Sequence, residues 1–507
     1  MQGAAILGAA GILSKILGAL YRIPFARMVG GEGMGMYQMA YPIYTLALAL
    51  STSGLPTALA VMTAERVACG DHQAAKKIFR VALVILTIFG AVASFGIYSA
   101  APFLAIQVFH HPPAFLAIRA VAPAVFLSAV VSCWRGYFQG YQNMVPTAVS
   151  QIVEQIVRVA TVLVLTFLLL PLGIPYAAAG AAFGAVTGGM AAIMVLILFG
   201  MHIRIHASPN KVANMPTKTI LKRLFTLGVP VSLAGLIMPF VQSIDAIIIP
   251  GRLLVAGYSS SEATELYGQL TGMSMTLINL PAMLTVALAT VVIPVISEAY
   301  ALKDKEKIKN TIQTAIMTLF LWAIPASIGL YILAEPVCRL LYKLPQVGVI
   351  LQACIPIIIA IGFYQVTSGI IQGMGKMLVT LVNLSIGCLL KVIITYYFVG
   401  NVNISISGAA YATAIGFFIA GLLNAVNLIK WFGFQILDIP FIRIIFANIL
   451  IAGLCEILWR FFKNSGDLIG ISIVILVVCI AYFAITIFFG ILSKNHFLKI
   501  TTFFRRN

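Results

Sequence analysis

PTAVSQIVEQIVRVATVLVLTFLLL, residues 146–170, is long and apolar enough to cross a lipid bilayer as a helix, yet it carries Arg158. At about 1.5 Å per residue, Arg158 lies about 18 Å into this segment, close to the bilayer midplane. A cation in hydrocarbon costs at least about 2.5–3.5 kcal/mol on insertion scales. We therefore expect Arg158 to face a hydrated cavity lined by protein, where its charge would favour an anionic substrate.

Similar apolar segments account for most of the chain. Of its 507 residues, 61% are hydrophobic and only 9% are charged, which gives more apolar surface than a soluble fold can bury. Segments of about twenty residues or more fall at 4–27, 34–62, 78–104, 114–138, 146–170, 174–203, 224–254, 266–297, 311–334, 346–373, 377–399, 404–429, 440–462 and 468–493. The sequence therefore predicts an all-α polytopic membrane protein with fourteen transmembrane helices.

The distribution of charge predicts the orientation. The formal net charge of +18 is spread over loops and is not gathered in one patch, so it does not favour a nucleic-acid partner. Most loop lysines and arginines fall on the side that holds the N-terminus, and the positive-inside rule makes this side cytoplasmic. Because the number of helices is even, both termini are expected in the cytoplasm.

An internal repeat divides the chain into two halves of six helices. One constant offset separates three pairs of similar residues, namely Gln139 and Gln372, Pro123 and Pro356, and Arg158 and Lys391. Since six is an even number, both halves start from the same side of the membrane, and the repeats are parallel. Repeats of this kind are typical of transporters, with the substrate site between the halves near the midplane.

This repeat sets the predicted domain boundaries. Helices 1–6 form an N-lobe over residues 1–203, and residues 204–223 form a basic cytoplasmic linker. Helices 7–12 form a C-lobe over residues 224–430. Residues 431–507 add two extra helices and a basic cytoplasmic tail.

Five basic residues inside the predicted helices are the candidate substrate-binding residues: Lys15, Arg22, Arg119, Arg158 and Lys391. Lys15 and Arg22 are seven residues apart and share nearly one face of helix 1. Arg158 and Lys391 occupy equivalent positions in the two repeats, so we expect them to face each other across one cavity. Arg119 lies only about 8 Å into its helix, where snorkelling to the interface is an alternative to binding substrate.

Two carboxylates are candidates for ion coupling or ion pairing. Glu154 precedes Arg158 by four residues on one helical face, so the two side chains are expected to pair. Such a pair would either hold a cavity cation and exchange protons or serve only to lower the cost of burial. Asp245 lies well inside predicted helix 7, where it would couple an ion or pair with a cavity arginine.

The remaining motifs predict neither an enzyme nor a bound cofactor or metal. The seven cysteines form no CxxC pair, and the six histidines fall in loops or at helix ends without an HExxH motif. The sequence contains no Walker A motif. The energy for transport is therefore expected from a Na⁺ or H⁺ gradient, from the membrane potential or from consumption of the product.

Several motifs resemble one superfamily of transporters. Arg22-Ile-Pro-Phe, Val29-Gly-Gly-Glu-Gly-Met-Gly-Met-Tyr37 and Ser53-Gly-Leu-Pro56 resemble the first two helices of the MOP flippase superfamily. Arg135-Gly-Tyr-Phe-Gln-Gly140, followed by Glu154-Gln-Ile-Val-Arg158, resembles the stage V sporulation protein B branch of its polysaccharide exporter family, which is close to the MurJ-type lipid II flippases. The resemblance covers essentially the whole chain.

The resemblance implies a V-shaped, two-lobed flippase of the bacterial cell membrane. Such a protein moves undecaprenyl-pyrophosphate-linked sugars from the inner to the outer leaflet by alternating access, for cell-wall or spore-cortex synthesis. In MurJ-type members, basic residues early in helix 1 and in helix 8 line the cavity. Lys15 matches an early helix 1 position, and Arg22 falls within one residue of the next, but helix 8 of this sequence has no interior cation.

Two alternatives remain open from the sequence. A multidrug or cation antiporter of the same superfamily would need cavity acids, which the mid-membrane cations outnumber. A scaffold for a cell-wall enzyme complex would need none of these charges. The expected partners of a flippase are an anionic lipid-linked sugar and membrane lipids, with cell-wall synthesis enzymes as further candidates.

Overall fold

The protein is all-α throughout the part of the chain that the structure describes. The computed structural model describes residues 2–52, 54–202, 215–433 and 441–490, and all regular secondary structure in these ranges is helical. Most of the predicted linker, residues 204–214, and the basic tail from 491 lie outside the described residues. The predicted fold class is confirmed.

Nine helices lie in the first half of the described chain. They are α1 (Gln2–Leu20), α2 (Arg22–Thr52), α3 (Leu55–Ala68), α4 (His72–Phe103), α5 (Phe115–Gly140), α6 (Val145–Leu169), α7 (Ile174–His202), α8 (Thr217–Val255) and α9 (Ser260–Gly268).

Nine more helices follow in the second half. They are α10 (Met275–Ala301), α11 (Lys305–Ile332), α12 (Ala334–Tyr342), α13 (Val347–Cys354), α14 (Pro356–Gly373), α15 (Met377–Val399), α16 (Ser407–Phe432), α17 (Phe441–Phe462) and α18 (Asp467–Phe488).

The described helices provide thirteen stretches that are long and apolar enough to cross a membrane, together with the shorter apolar helix Ile6–Leu20. The protein is thus a multi-pass membrane protein. The predicted boundary between the first two spans, residues 28–33, falls where α2 leaves helical geometry at Gly30, with φ 68° and ψ −166°. A positive φ is adopted at little cost only by glycine, so Gly30 allows the chain to bend at this point.

Contacts divide the chain into two compact units. The first contains Met1–Leu254 and Tyr258–Gly268, and the second contains Val255–Gly257 and Gln269–Asn507. Most of α8 and all of α9 therefore belong to the first unit. Ser243 of α8 donates a hydrogen bond to the Pro42 carbonyl of α2 over 3.1 Å. The lobe boundaries that the sequence repeat suggests, at residues 203 and 224, stay a prediction.

In the first unit, a glycine ridge brings α7 against α6. A Cβ added at Gly184 would lie 3.1 Å from the Arg158 carbonyl oxygen, and one added at Gly188 would lie 2.8 Å from the Glu154 carbonyl oxygen. No larger residue would allow this approach without a shift of the backbone. The ridge fixes the position of the α6 segment that carries Glu154 and Arg158.

In the second unit, a buried amide network joins α14, α15 and α16. Asn383 donates to the Asn424 side-chain oxygen over 2.8 Å, and Asn424 donates to the Ser368 hydroxyl over 2.9 Å. Asn424 has no exposed surface. These bonds satisfy polar groups that would otherwise be costly to bury in an apolar helix bundle.

Candidate functional site

A ladder of tyrosines on α2 forms the centre of the candidate site. Tyr37, Tyr41 and Tyr44 are spaced by four and three residues, which places them on one face of the helix. The ring centroids of Tyr37 and Tyr41 are 6.0 Å apart, as are those of Tyr41 and Tyr44. We call Tyr37, Tyr41 and Tyr44 the tyrosine ladder.

Two arginines from different helices converge on this ladder. The Cζ atoms of Arg22 and Arg158 each lie 5.9 Å from the centroid of the Tyr41 ring. Arg158 is also 6.0 Å from the centroid of Tyr44. A guanidinium group at this distance from an aromatic ring is stabilised by the electrostatic attraction between cation and π system. The structure thus brings together Arg22 and Arg158, two of the five candidate substrate-binding residues.

Further hydroxyl groups surround the two guanidinium groups. The hydroxyls of Tyr21 and Tyr37 form a hydrogen bond of 2.8 Å, and the Arg22 side chain also hydrogen-bonds Tyr21. The Tyr44 hydroxyl lies 3.2 Å from the Ser128 hydroxyl of α5. Tyrosine hydroxyls donate as well as accept hydrogen bonds. The cluster therefore offers two positive charges and several rotatable donors, which suits an anion with many oxygen atoms.

The expected ion pair between Glu154 and Arg158 is not formed. Glu154 Oε2 instead lies 2.8 Å from Nη2 of Arg135, on α5, and Arg135 Nε donates to the Ser150 hydroxyl over 2.9 Å. No carboxylate of the described residues lies within 4.0 Å of the Arg158 guanidinium. The predicted pairing of Glu154 with Arg158 was wrong because the Arg135 guanidinium, from the neighbouring helix α5, hydrogen-bonds both the Glu154 carboxylate and the Ser150 hydroxyl. Arg158 is stabilised by aromatic rings instead.

Helix α1 lies along α6 beside this cluster. The Ser14 hydroxyl lies 3.5 Å from the Gln151 carbonyl oxygen, and a Cβ added at Gly18 would lie 3.2 Å from Gln155 Nε2. Lys15, next to Ser14, is exposed on α1. No described contact joins Lys15 to the tyrosine ladder, so its predicted role in substrate binding stays a prediction.

Arg119 lies in a different aromatic environment. Its Cζ atom is 5.0 Å from the ring centroid of Tyr98 on α4 and 5.5 Å from that of Phe115 at the start of α5. Neither ring belongs to the tyrosine ladder. These contacts account for a half-buried arginine in this position without a ligand, and a role in substrate binding stays a prediction.

Lys391 and Asp245 belong to different units. Lys391 of α15 lies in the second unit, is only 9% exposed and packs beside Gly416, where an added Cβ would lie 2.8 Å from Lys391 Cβ. Asp245 of α8 is half-buried in the first unit, two residues after Ser243, which bonds to α2. That Lys391 faces Arg158 across a cavity stays a prediction.

Sequence reasoning missed Tyr41 and Arg135. The spacing of the tyrosine ladder was a detectable signal, since aromatic residues at four and three positions apart share one helical face. No sequence pattern could indicate the role of Arg135, because Arg135 lies nineteen residues from Glu154. The two side chains meet only because α5 and α6 lie close together in the fold. Among the described residues, no group of three or more His, Cys, Asp or Glu side chains is arranged to hold a metal ion.

Comparison of the sequence with known proteins identifies the family of this chain. Residues 1–300 match the family model described as polysaccharide biosynthesis protein, and residues 270–397 match the MatE model. Over 455 residues the chain is 29% identical to stage V sporulation protein B of Bacillus subtilis (strain 168), covering 89% of this chain and 88% of the relative. It is 28% identical over 454 residues to the lipid II flippase MurJ of the same organism, covering 85% and 82%.

A solved structure agrees with the fold. The lipid II flippase MurJ in an inward closed conformation matches with a TM-score of 0.72 at 16% identity, covering 96% of this chain and 99% of that one. The prediction of a transport protein rather than an enzyme is confirmed by these relatives. Because the matching model spans more than half of the chain, the protein belongs to the polysaccharide biosynthesis protein family, as its resemblance to the MOP flippases predicted.

Proposed function

We propose that this protein is a flippase that moves an undecaprenyl-pyrophosphate-linked sugar, either a lipid II-like precursor or a polysaccharide unit, from the inner to the outer leaflet by alternating access. The observation that carries this proposal is the convergence of Arg22 and Arg158 on Tyr41. The relationship to a protein named lipid II flippase supports it. The product would serve cell-wall or spore-cortex synthesis.

The chemistry of the cluster fits a pyrophosphate. Guanidinium groups form short, charge-assisted hydrogen bonds with phosphate oxygens, often two at once. Arg22 and Arg158 reach the same ring from different helices, so they can approach an extended anion from two directions. The hydroxyls of Tyr21 and Tyr37 add donors for the remaining oxygens. The polyprenyl tail would stay in the bilayer while the headgroup passes through the protein.

The orientation and the energy source belong to the same proposal. Both termini would lie in the cytoplasm of the bacterial cell, as the loop charges indicate. The chain would use a Na⁺ or H⁺ gradient or the membrane potential, which provides about 2.3 kcal/mol per charge at 100 mV. Asp245 is the candidate for ion coupling, and enzymes of cell-wall synthesis are the candidate protein partners.

A multidrug or cation antiporter is the second candidate, since residues 270–397 match the MatE model. The site in the first unit disfavours it. A pocket for cationic drugs needs negative charge, whereas this cluster offers two guanidinium groups and no carboxylate within 4.0 Å of Arg158 among the described residues.

Reconstitution in liposomes tests the two candidates. Fluorescent lipid II would be placed in both leaflets, and the transbilayer movement would be followed by reduction of the exposed dye. We expect lipid II to move across the bilayer with the wild-type protein. Arg158→Gln should lower the rate of this movement at least about tenfold, because a charge-assisted bond to phosphate is removed. Arg443→Gln, which lies outside the cluster on α17, should keep the wild-type rate.

Absence of movement for lipid II and for other undecaprenyl-pyrophosphate-linked sugars would overturn the proposal. Efflux of a cationic dye that survives Arg158→Gln and disappears with Asp245→Asn would favour the antiporter.

A further inference from the structure

We propose that Arg135 is a positioning residue, which holds the Glu154 carboxylate away from Arg158 and so keeps that guanidinium available for the anionic substrate. This inference rests on the proposed function, because it concerns the same anion site. Its basis is the ion pair that α5 and α6 form, with 2.8 Å between Arg135 Nη2 and Glu154 Oε2.

Arg135 is held in a fixed geometry by two bonds. While Nη2 bonds Glu154, Nε donates to the Ser150 hydroxyl over 2.9 Å. The Ser150 hydroxyl in turn donates to the Thr147 carbonyl over 2.8 Å, so its oxygen is oriented to accept the bond from Arg135. The planar guanidinium thus bridges two positions one turn apart on α6, which a lysine ammonium could not match.

Without Arg135, Glu154 has another cation within reach. Glu154 and Arg158 are four residues apart, the spacing at which a glutamate and a following basic residue pair on a helix. Both face Gly188 of α7, where an added Cβ would lie 3.4 Å from Glu154 Cγ and 3.1 Å from Arg158 Cβ. The side chains therefore leave α6 on the same side, and a rotamer change of Glu154 would bring its carboxylate to Arg158.

The charge balance explains why the pairing matters for binding. Arg135, Glu154 and Arg158 together carry one negative and two positive charges. When Arg135 and Glu154 form an ion pair, the remaining positive charge resides on Arg158, which lies against Tyr41 and Tyr44. When glutamine replaces Arg135, the charges of Glu154 and Arg158 cancel each other, and a phosphate must displace an internal carboxylate. In a partly buried site this competition is strong, because water screens it poorly.

Three variants separate positioning from a merely structural ion pair. They are Arg135→Gln, Glu154→Gln and the double variant Arg135→Gln/Glu154→Gln, each purified in lipid nanodiscs with binding of fluorescent undecaprenyl pyrophosphate as the readout. Arg135→Gln is expected to raise Kd at least about tenfold, the scale of one lost charge-assisted contact. Glu154→Gln is expected to bind more tightly than the wild type, since it removes a nearby negative charge.

The double variant is the decisive measurement. Because the competing carboxylate is gone, binding is expected to return to within about threefold of Glu154→Gln, a strong departure from additivity. A structural ion pair predicts the opposite pattern, in which both single variants weaken binding equally and the double variant shows no rescue. That pattern, or wild-type affinity in Arg135→Gln, would overturn the inference.

Two further arms keep the outcomes distinct. If Arg135→Gln does not fold, Arg135→Lys, which keeps the charge but cannot bridge Ser150 and Glu154, is expected to give an intermediate Kd. Weaker binding by Glu154→Gln than by the wild type overturns the inference independently. If the wild-type protein does not bind the lipid at all, both the proposed function and the inference are wrong. If the wild-type protein binds tightly but the double variant does not recover binding, only the inference is wrong.

Discussion

The backbone amide of Gly54 donates a hydrogen bond to the Ser232 hydroxyl oxygen over 3.0 Å, and this bond joins the start of α3 to α8. The two helices touch here through their backbones. A Cβ added at Gly54 would lie 1.8 Å from the Gly228 carbonyl oxygen, which no rearrangement of side chains can relieve. Near the cytoplasmic end predicted for these helices, Arg223 and Glu65 also form an ion pair of 2.8 Å.

Gly54→Ala is therefore expected to separate α3 from α8. Forcing an extra methyl group into a packed contact costs about 1–3 kcal/mol, so the unfolding temperature should fall and lipid transport should slow. Thermal unfolding of the purified protein in detergent measures the first effect. Gly96→Ala is the matched control, since a Cβ at Gly96 in α4 would lie within 4 Å of no atom in the described part of the chain. Equal unfolding temperatures for the two variants would contradict the packing argument.

Two substitutions of Tyr41 distinguish the contribution of its aromatic ring from that of its hydroxyl. Tyr41→Phe keeps the aromatic face that both arginines contact, whereas Tyr41→Leu removes it. Loss of the two cation–π contacts, at about 0.5–1 kcal/mol each or more when desolvated, should weaken binding of undecaprenyl pyrophosphate about fivefold or more in Tyr41→Leu. Titration of both variants in nanodiscs checks this. Similar affinities for the two variants would mean that the ring does not position the arginines.

His111 should make stability depend on pH. Burial lowers the pKa of His111 from its usual 6.5, and the neighbouring Glu32 only partly opposes this shift. The Ser260 hydroxyl donates to the His110 carbonyl, so His111 Nδ1 must donate to Ser260 and Nε2 carries no proton. Nε2 lies 4.0 Å from Glu32 and makes no hydrogen bond to any residue that the structure describes.

The sign follows from which state binds the proton. As pH falls below about 6.5, the unfolded chain protonates His111 before the folded protein does, so stability is present above this value and decreases towards acid pH. Unfolding temperatures between about pH 5 and pH 8 should show this slope, and His111→Gln should reduce it. A slope unchanged by the substitution would show that other groups cause the pH dependence.

Asn424→Ala should destabilise the second unit. The substitution leaves the Asn383 amide without its described partner, and it removes one of the hydrogen bonds of the buried Ser368 hydroxyl. Each unsatisfied buried polar group costs about 1–3 kcal/mol, so a large fall in unfolding temperature is expected. Asn310→Ala, at an exposed position of α11, should stay within about 0.5 kcal/mol of the wild type. Similar effects for both variants would argue against the network.

Much of the fold was predictable because its cause is local. Whether a segment crosses a membrane depends on its own length and apolarity. An apolar helix is stable in lipid because all its backbone hydrogen bonds form within the helix. The described spans accordingly lie close to the predicted ones. The main differences are breaks near Tyr21 and Gly54, where α1 and α2 end before the predicted spans do. Composition alone does not report where a long apolar segment bends.

The candidate site was predictable only in part. Arg22 and Arg158 stood out because charge inside an apolar helix is costly. The i, i+4 spacing nevertheless gave the wrong partner for Glu154, because local spacing shows which pairs are possible and not which pair is preferred.

The sequence by itself determined that this chain is a multi-pass helical membrane protein with arginines inside its apolar helices. Only the tertiary structure decided that Arg135 takes the Glu154 carboxylate and that Tyr41 lies against both Arg22 and Arg158. The physical reason is that insertion into a membrane is settled one helix at a time, whereas the partner of a buried charge depends on every helix that packs beside it.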